Sequence, residues 1–548
     1  MNKRPLAMVL LLMLSAAGCK DIGKGGTGEM VVPESELRDI KTVEPEQFAT
    51  TPPTTAPTTM PTTRHFDQPL RDVPITVTDV RRLAIANNLD IKVEVLNPSI
   101  SKENLSKEEA SYDWTFTTDA GFSSTDQPTA NVVEQQLNGT QAQNWRLTPG
   151  LNVPLRTGGT INLAVPWNES DVQGSSANVI NPLYTSDFRG TLNQPLLRGG
   201  GIDVNAQRIR VAFYGYQQAQ AATKLEIIRV LAEADRVYWR LYAARGALDV
   251  RRQEYDLAIA QLDRARRQVN AGIAPEVEIV RAQSGVSDRV EAIINADNLV
   301  RDSERNLKRI LNDPEFDMQS PTVLVPKTEP VPLFFKVDPD RLIATSMRQR
   351  MELLESELAI ALDTATVRVA RHEMLPLVNL QYAYGINGLG GSTQDSFAMV
   401  RTADFQDQTV GIHLEIPIGN DQARANLRQA MLQRLQDLAT KAQREAQIRQ
   451  EVLAAVDQLD ANWQRILAAR QRVILNQRLL EVEIRQFDQG LRTSTEVLNA
   501  QTDLANAKLS EISALTDYQI AQVDIAFATG TLLGASHVVW EPVPAPKP

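Results

Sequence analysis

Apolar and polar residues follow two kinds of pattern along this chain, and each kind occurs twice. Helical spacing of apolar residues predicts one helix from about Thr78 and another from about Asp340 to Val369. After each of these helices the apolar residues alternate with polar ones, which is typical of strands. The alternating apolar residues are Tyr112, Trp114, Phe116, Ala120 and Phe122 in the first half, and Val378, Leu380, Tyr382, Tyr384 and Ile386 in the second.

A returning strand is predicted in each half, around Phe188 to Leu196 and Val410 to Ile418. Pro195 and Pro417 mark the strand–helix junctions, because proline interrupts a strand ladder and the glycines beyond it permit a sharp change of direction. Amphipathic segments of about ten residues are the weak signature of a membrane β-barrel. Alternation alone favours a half-buried soluble sheet. The long loops between the strands and the lipoprotein signal at the N-terminus, described below, reverse this preference.

The first half contains an additional predicted hairpin. Apolar and polar residues alternate from Trp145 to Leu155 and again from Ile161 to Trp167, and Thr157-Gly158-Gly159 provides a tight turn between them. The second half has no counterpart. The pattern leaves open whether this hairpin belongs to a barrel or lies outside it.

Two very long helices follow the returning strands. Residues 203–270 contain no proline, and residues 421–489 contain neither proline nor glycine, so each segment predicts a rod of about 100 Å. Each rod turns back as a second helix, at about 275–312 and 494–529, and residues 313–339 between the halves are predicted to be irregular. The chain therefore consists of two structural repeats, residues 75–312 and 340–533.

The turns between the paired helices carry the same spacing of residues. Gly272 and Gly490 are each followed six residues later by a glutamate, Glu278 and Glu496. An Ala-Gln pair follows at ten and eleven residues in both copies. The glycines are predicted to be left-handed helix ends, and Thr493 with Glu496 predicts a capping box at the next helix.

The N-terminus predicts export and a lipid anchor. Residues 1–18 combine a basic start, a short apolar run and small residues, as secretory signal peptides do, and Cys19 follows where a bacterial lipoprotein is lipidated. Residues 19–74 are predicted to be a disordered Pro/Thr-rich tether, and residues 534–548 a Pro-rich tail. Lys20, instead of aspartate, after Cys19 favours sorting to the outer membrane of a Gram-negative-type bacterium, with a large periplasmic portion.

Composition argues against catalysis and against nucleic acid as a partner. The net charge of −10 provides no basic surface for nucleic acid. No cofactor or metal motif is recognisable, and a single cysteine excludes disulfides within the chain. The four histidines are scattered, at His65, His372, His413 and His537. We therefore expect a protein that is not an enzyme.

The repeated tip motifs, the Gln194-Pro195-Leu196 strand exit and the final Gly530-Thr531-Leu532 resemble the TolC-like outer-membrane efflux family. The resemblance implies a mainly α fold with membrane β. Long antiparallel helical hairpins would form a trimeric periplasmic α-barrel, and strands, four per protomer in the family, would form a shared outer-membrane β-barrel. It also implies a passive homotrimeric exit duct for tripartite efflux or type I secretion, with a periplasmic adaptor and an inner-membrane pump as partners.

The resemblance assigns roles at the tips. The adaptor-docking residues would be Gly272, Ile273, Gly490, Leu491 and Arg492. Glu496 matches an acidic constriction position of the family, and Asn499 stands where a second acid is often found. Glu278, at the equivalent depth on the other hairpin, is expected to join them at the pore constriction.

The alternative hypothesis is a lipid-anchored periplasmic coiled-coil spacer that conducts nothing. The amphipathic strands distinguish the two, because a channel requires them and a spacer has no use for them.

Overall fold

The structure is a computed structural model that describes residues 71–128, 139–173, 180–318, 320 and 322–536. The predicted signal peptide, Cys19, the tether up to residue 70 and the tail from residue 537 lie outside the described residues. The last residues assigned to the tether are ordered: Arg71–Ile75 form strand β1. The folded part therefore begins a few residues earlier than the sequence predicted.

The leading helix of the first repeat is divided into three pieces: α1 (Val77–Asn87), α2 (Leu89–Glu94) and α3 (Leu96–Glu109). Asn88 causes the first break, because its side chain accepts hydrogen bonds from the N–H groups of Asp90 and Ile91. The same side chain donates to the carbonyl of Ile310 at 3.0 Å, so the break is held against the end of a distant helix.

The leading helix of the second repeat is divided once, into α7 (Pro339–Gln349) and α8 (Met351–Glu373). Arg350 lies at the break, where its guanidinium donates to Glu352 at 2.7 Å and to Glu451 at 2.9 Å. The buried charge is thereby paired, as a charge removed from water must be.

Seven strands form one antiparallel sheet: β2 (Thr115–Asp126), β3 (Gln141–Pro154), β4 (Thr160–Ala164), β5 (Trp167–Gln173), β6 (Leu183–Pro195), β8 (Leu377–Gly390) and β9 (Gln406–Glu415). Their order across the sheet is β2-β3-β4-β6-β8-β9, and β5 lies beyond the end of β4, where it also pairs with β3 and β6. A short helix, α9 (Thr393–Thr402), connects β8 and β9.

Two helical hairpins extend from this sheet. After the short α4 (Ile202–Asn205), the first is α5 (Gln207–Asn270) with α6 (Val277–Leu311); the second is α10 (Asp421–Asp488) with α11 (Ser494–Ala528), followed by α12 (Leu532–Ala535). α5 and α11 pack against each other, so the hairpins lie side by side in the order α6-α5-α11-α10. Among the described residues, no helix is both long and apolar enough to cross a membrane.

Small side chains allow the long helices to approach closely. Ala234, Ala258, Ala265 and Ala282 are fully buried. A Cβ added to Gly285 of α6 would lie 2.7 Å from the Leu498 side chain of α11. The two hairpins are therefore closely packed where α6 meets α11, and a larger residue at position 285 would not fit without a shift.

The segment between the repeats is more regular than predicted. Thr322–Pro326 form β7, which pairs in parallel with β1, and a 3₁₀ turn spans Pro314–Phe316. Tyr238 of α5 lies beneath this pair and donates to the carbonyl of Ile75 at 3.3 Å. Periodicity could not reveal β7, because its partner lies about 250 residues away.

Candidate functional site at the paired helical tips

The two hairpins end in equivalent turns, which we name the first tip (residues 271–278) and the second tip (489–496). Gly272 and Gly490 have φ angles of 72° and 73°, as predicted for left-handed helix ends. The N–H of the following residue closes each turn by donating to the carbonyl five positions back, at 2.9 Å for Ile273 and 3.0 Å for Leu491. Side chains Ile273 and Leu491 project into solvent, with exposed fractions of 67% and 71%.

Glu496 caps its own helix at the second tip. Its Oε2 accepts from the Thr493 N–H at 2.8 Å and completes the predicted capping box. Its Oε1 accepts from Arg492 at 2.7 Å. The Thr493 backbone N–H, and then Arg492, lower the pKa of the Glu496 carboxyl below its usual value. The carboxylate remains partly exposed, and Asn499 is exposed one turn further along α11.

Arg492 holds the second tip together. Besides Glu496, its guanidinium reaches Gln486 at 2.9 Å and Glu483 at 3.4 Å, both on α10. The hydrogen bond to Glu496 raises the pKa of Arg492. The side chain therefore links the end of α10 to the start of α11.

Glu278 differs from the prediction, which expected it to line a lumen with Glu496. It is 5% exposed and lies between the two hairpins. Its Oε2 accepts from the Ser494 N–H of α11 at 2.8 Å, and its Oε1 accepts from Arg281 at 2.6 Å. Glu278 thus caps the helix of the other hairpin, and its assignment to the constriction is corrected for this reason.

The contact between the hairpins is polar at several further points that the sequence analysis missed. Gln268 of α5 donates to the carbonyl of Phe487 at 3.0 Å, and Gln501 of α11 donates to that of Leu257 at 3.2 Å. Buried Arg289 donates to the carbonyl of Leu498 at 3.1 Å and lies 3.4 Å from Glu254. The burial of Arg289 could have been predicted from the sequence, because this residue shares a helical face with the small residues Ala282 and Gly285.

The strand–helix junctions end at prolines in both repeats, with a small difference. Pro195 is the last residue of β6, whereas Pro417 lies two residues beyond the end of β9. Glycines with positive φ follow both junctions, at Gly199 and Gly419. The chain can therefore turn sharply from the sheet into each long helix.

The described residues contain no group of three or more His, Cys, Asp or Glu side chains placed to hold a metal ion.

The profile of the outer membrane efflux protein family matches residues 182–313 and 342–531, which together make up more than half of the chain. The chain belongs to this family. The two matched segments end close to where the two structural repeats end, and the interval between them contains β7. Membership agrees with the resemblance that the tip motifs indicated.

Curated relatives are similar over part of their length. The chain is 24% identical to the outer membrane protein TolC of Escherichia coli over 305 residues, covering 54% of this chain and 60% of that protein. It is 22% identical to the outer membrane efflux protein BepC of Brucella suis over 303 residues, covering 55% and 63%. The chain thus spans about three fifths of these relatives.

Solved channels share the fold. The CmeC outer membrane channel of Campylobacter jejuni superposes with a TM-score of 0.63 at 15% identity, over 83% of this chain and 86% of that one. The outer membrane protein VceC of Vibrio cholerae superposes with a TM-score of 0.60 at 12% identity, over 83% and 96%. The predicted fold class is confirmed: the structure is mainly α, with two long helical hairpins and a β-sheet.

Proposed function

We propose that three copies of this chain form a passive exit duct in the outer membrane, which serves tripartite efflux or type I secretion. The observation that carries this proposal is a sheet with one apolar face and two free edges. Within the described part of the chain, β2 pairs only with β3, and β9 only with β8. On β9, Val410 and Ile412 are 68% and 69% exposed, which favours contact with lipid.

The two free edges are complementary between copies. Five successive antiparallel pairings lead from β2 to β9, and because this number is odd, these two strands run in opposite directions. Strand β9 of one copy can therefore pair antiparallel with β2 of the next. Pairing of this kind in a ring closes the sheet and leaves no unpaired edge. A sheet that spans a membrane must be closed in this way.

The helices support the same ring. In the second repeat α8 packs between α10 and α5, whereas α3, its counterpart in the first repeat, packs on α5. The outward stripe of α2 and α3 is apolar, and Leu96 and Ile100 are 59% and 57% exposed. Because α3 is the counterpart of α8, and α8 packs against α10 within one protomer, we expect the apolar stripe to pack against α10 of the next copy. Leu432 and Leu435 are exposed on that helix.

Native mass spectrometry in detergent and conductance in planar bilayers test the duct. We expect a trimer that conducts, and Ile100→Asp should weaken the trimer because it places a charge in the seam. Lys102→Asp, on the exposed side of the same helix, is the matched control and should leave the trimer intact. A stable monomer without conductance would instead support the periplasmic spacer.

The mouth of the duct would be formed by the second tip. After the correction for Glu278, Glu496 and Asn499 remain as the constriction residues that reach solvent. Glu496→Gln should therefore lower the preference for cations in bilayer recordings. Glu278→Gln is the control, and an equal effect of both variants would contradict this assignment.

The exposed tips would be the docking surface for a periplasmic adaptor, which in turn would contact an inner-membrane pump. Ile273 and Leu491, with Arg492, offer two apolar points and one cation at the end of each protomer. Leu491→Asp should reduce co-purification of the adaptor with the tagged chain, whereas Thr495→Asp, exposed nearby, should not. Equal recovery of the adaptor with both variants would mean that the tips are not part of the adaptor interface.

We also propose that a lipid on Cys19 anchors the mature chain in the outer membrane, on the strength of the signal sequence. Cys19→Ala should abolish labelling by radioactive fatty acid. Label that persists on the variant would contradict the anchor.

A further inference from the structure

The hairpin found only in the first repeat lies inside the sheet. Strands β4 and β5 both pair with β3 on one side and with β6 on the other. They are therefore two parts of one long strand, which is interrupted at Val165 and Pro166. Hydrogen bonds to both neighbouring strands continue across the interruption: the Val165 N–H donates to the Pro149 carbonyl of β3, and the Asp187 N–H of β6 donates to the Pro166 carbonyl. The hairpin thus separates β2 from β6.

The added strands keep the two faces of the sheet. One row of register partners is apolar across five strands: Val153, Ile161, Leu192, Tyr382 and Val410. The next row is displaced by one residue and therefore lies on the opposite face. Its members are polar except for Ala383 of β8; the polar ones are Thr115, Asn152, Asn162, Thr191 and Thr409.

A band of aromatic side chains also crosses the added strands. On the apolar face, Phe122 of β2 contacts Trp145 of β3, with ring centroids 4.6 Å apart. Trp167 of β5 is next to Tyr184 of β6, at 6.4 Å. Aromatic residues at the border of an apolar band are the girdle of a membrane barrel. Two of the four side chains belong to the added strands.

We infer that the hairpin is part of the barrel wall, so that each protomer contributes six strands and the trimer forms an eighteen-stranded barrel. The inference rests on the proposed trimeric duct. Insertion of two strands preserves an even number per protomer, so β9 and β2 of adjacent copies remain antiparallel. Without the hairpin, the same trimer would have twelve strands.

The added strands widen the outer part of the duct. With strands about 4.8 Å apart and tilted by about 40°, eighteen strands enclose a ring about 36 Å across at the backbone, compared with about 24 Å for twelve. The polar face lines that ring, with Asn152 and Asn162 of the hairpin among the side chains it presents. The barrel is thus wide enough for bulky hydrated cargo.

Spin labels on adjacent residues of β4 test whether the hairpin is in the wall. The labels are attached at Leu163→Cys and Asn162→Cys in a Cys19→Ser background, which leaves one thiol per chain. After reconstitution in vesicles, the label at 163 should collide with lipid-soluble oxygen and the label at 162 with a water-soluble nickel chelate. A label at 163 that favours the chelate would place the hairpin outside the wall.

Polymer exclusion tests the width. Polyethylene glycols of graded size are added from the barrel side of planar bilayers to the full chain and to a variant lacking residues 129–179, which joins β2 to β6 directly. The largest polymer radius that enters should be at least about 1.5 times as large for the full chain, because this is the ratio of the two backbone diameters. An equal cut-off in two conducting proteins contradicts the inference. If the deletion variant does not fold, the spin labels decide, and a label at 163 that favours the chelate contradicts the inference. A full chain that does not conduct contradicts the proposed function instead.

Discussion

The two tips have the same turn and the same glutamate spacing, yet the two glutamates have different surroundings. Glu496 accepts from the Thr493 N–H of its own helix and reaches solvent beside Arg492. Glu278 accepts from the Ser494 N–H of the other hairpin and is buried. The difference follows from packing: Glu278 is directed at the start of α11 on the other hairpin, whereas Thr493 and Arg492, which donate to Glu496, belong to its own hairpin.

The two tips show that the repeats share backbone conformation but not side-chain burial. Backbone conformation at the tips depends on nearby residues, so duplication preserves it. The burial of a side chain depends on what lies beside it, and the two hairpins have different neighbours at their flanks. Four substitutions at the tips test this comparison.

The largest effect is expected for Glu278→Ala. The change leaves the buried N–H of Ser494 without a partner, which should lower the free energy of unfolding by about 2 kcal/mol. Urea titration of the protein in detergent measures this quantity. Glu276→Ala, two residues earlier and exposed, is the control and should change stability by less than about 0.5 kcal/mol. Equal losses would mean that Glu278 is not the buried cap described here.

The tip glycines should respond alike, because their local conformations match. Gly272→Ala and Gly490→Ala should each cost about 1 kcal/mol, since alanine is strained at φ near 70° although a Cβ would meet no atom within 4 Å. Gly215→Ala, inside α5 about two turns from its start and also unobstructed, should stabilise the protein. If one tip glycine tolerated alanine and the other did not, the two turns would not be equivalent.

The smallest effect is a dependence on pH at Glu496. Its pKa in the folded protein is lowered from an ordinary value of 4.5. The stabilisation is therefore present above about that pH and is lost as the pH falls through the folded pKa. The difference in thermal midpoint between the wild type and Glu496→Gln should shrink on acidification from pH 7 to pH 3. A difference that grows instead would mean that the carboxylate is destabilising.

Local features were predictable from the sequence. The long helices were predicted at 203–270 and 421–489 and are found at 207–270 and 421–488. Proline is absent from both stretches, so each helix can continue without a local interruption in the sequence. Strand positions, the left-handed glycines and the Thr493–Glu496 capping box were predictable because they depend on neighbours in sequence.

The tertiary structure alone decided the remaining features, because each depends on residues that are distant in the sequence. Alternation predicted the added hairpin, but only the register with β2 and β6 places it inside the sheet. The parallel pairing of β1 with β7 joins segments on either side of the first repeat. Glu278 and Glu496 are equivalent by spacing, and only the packing of α11 against the first hairpin buries one and leaves the other in water.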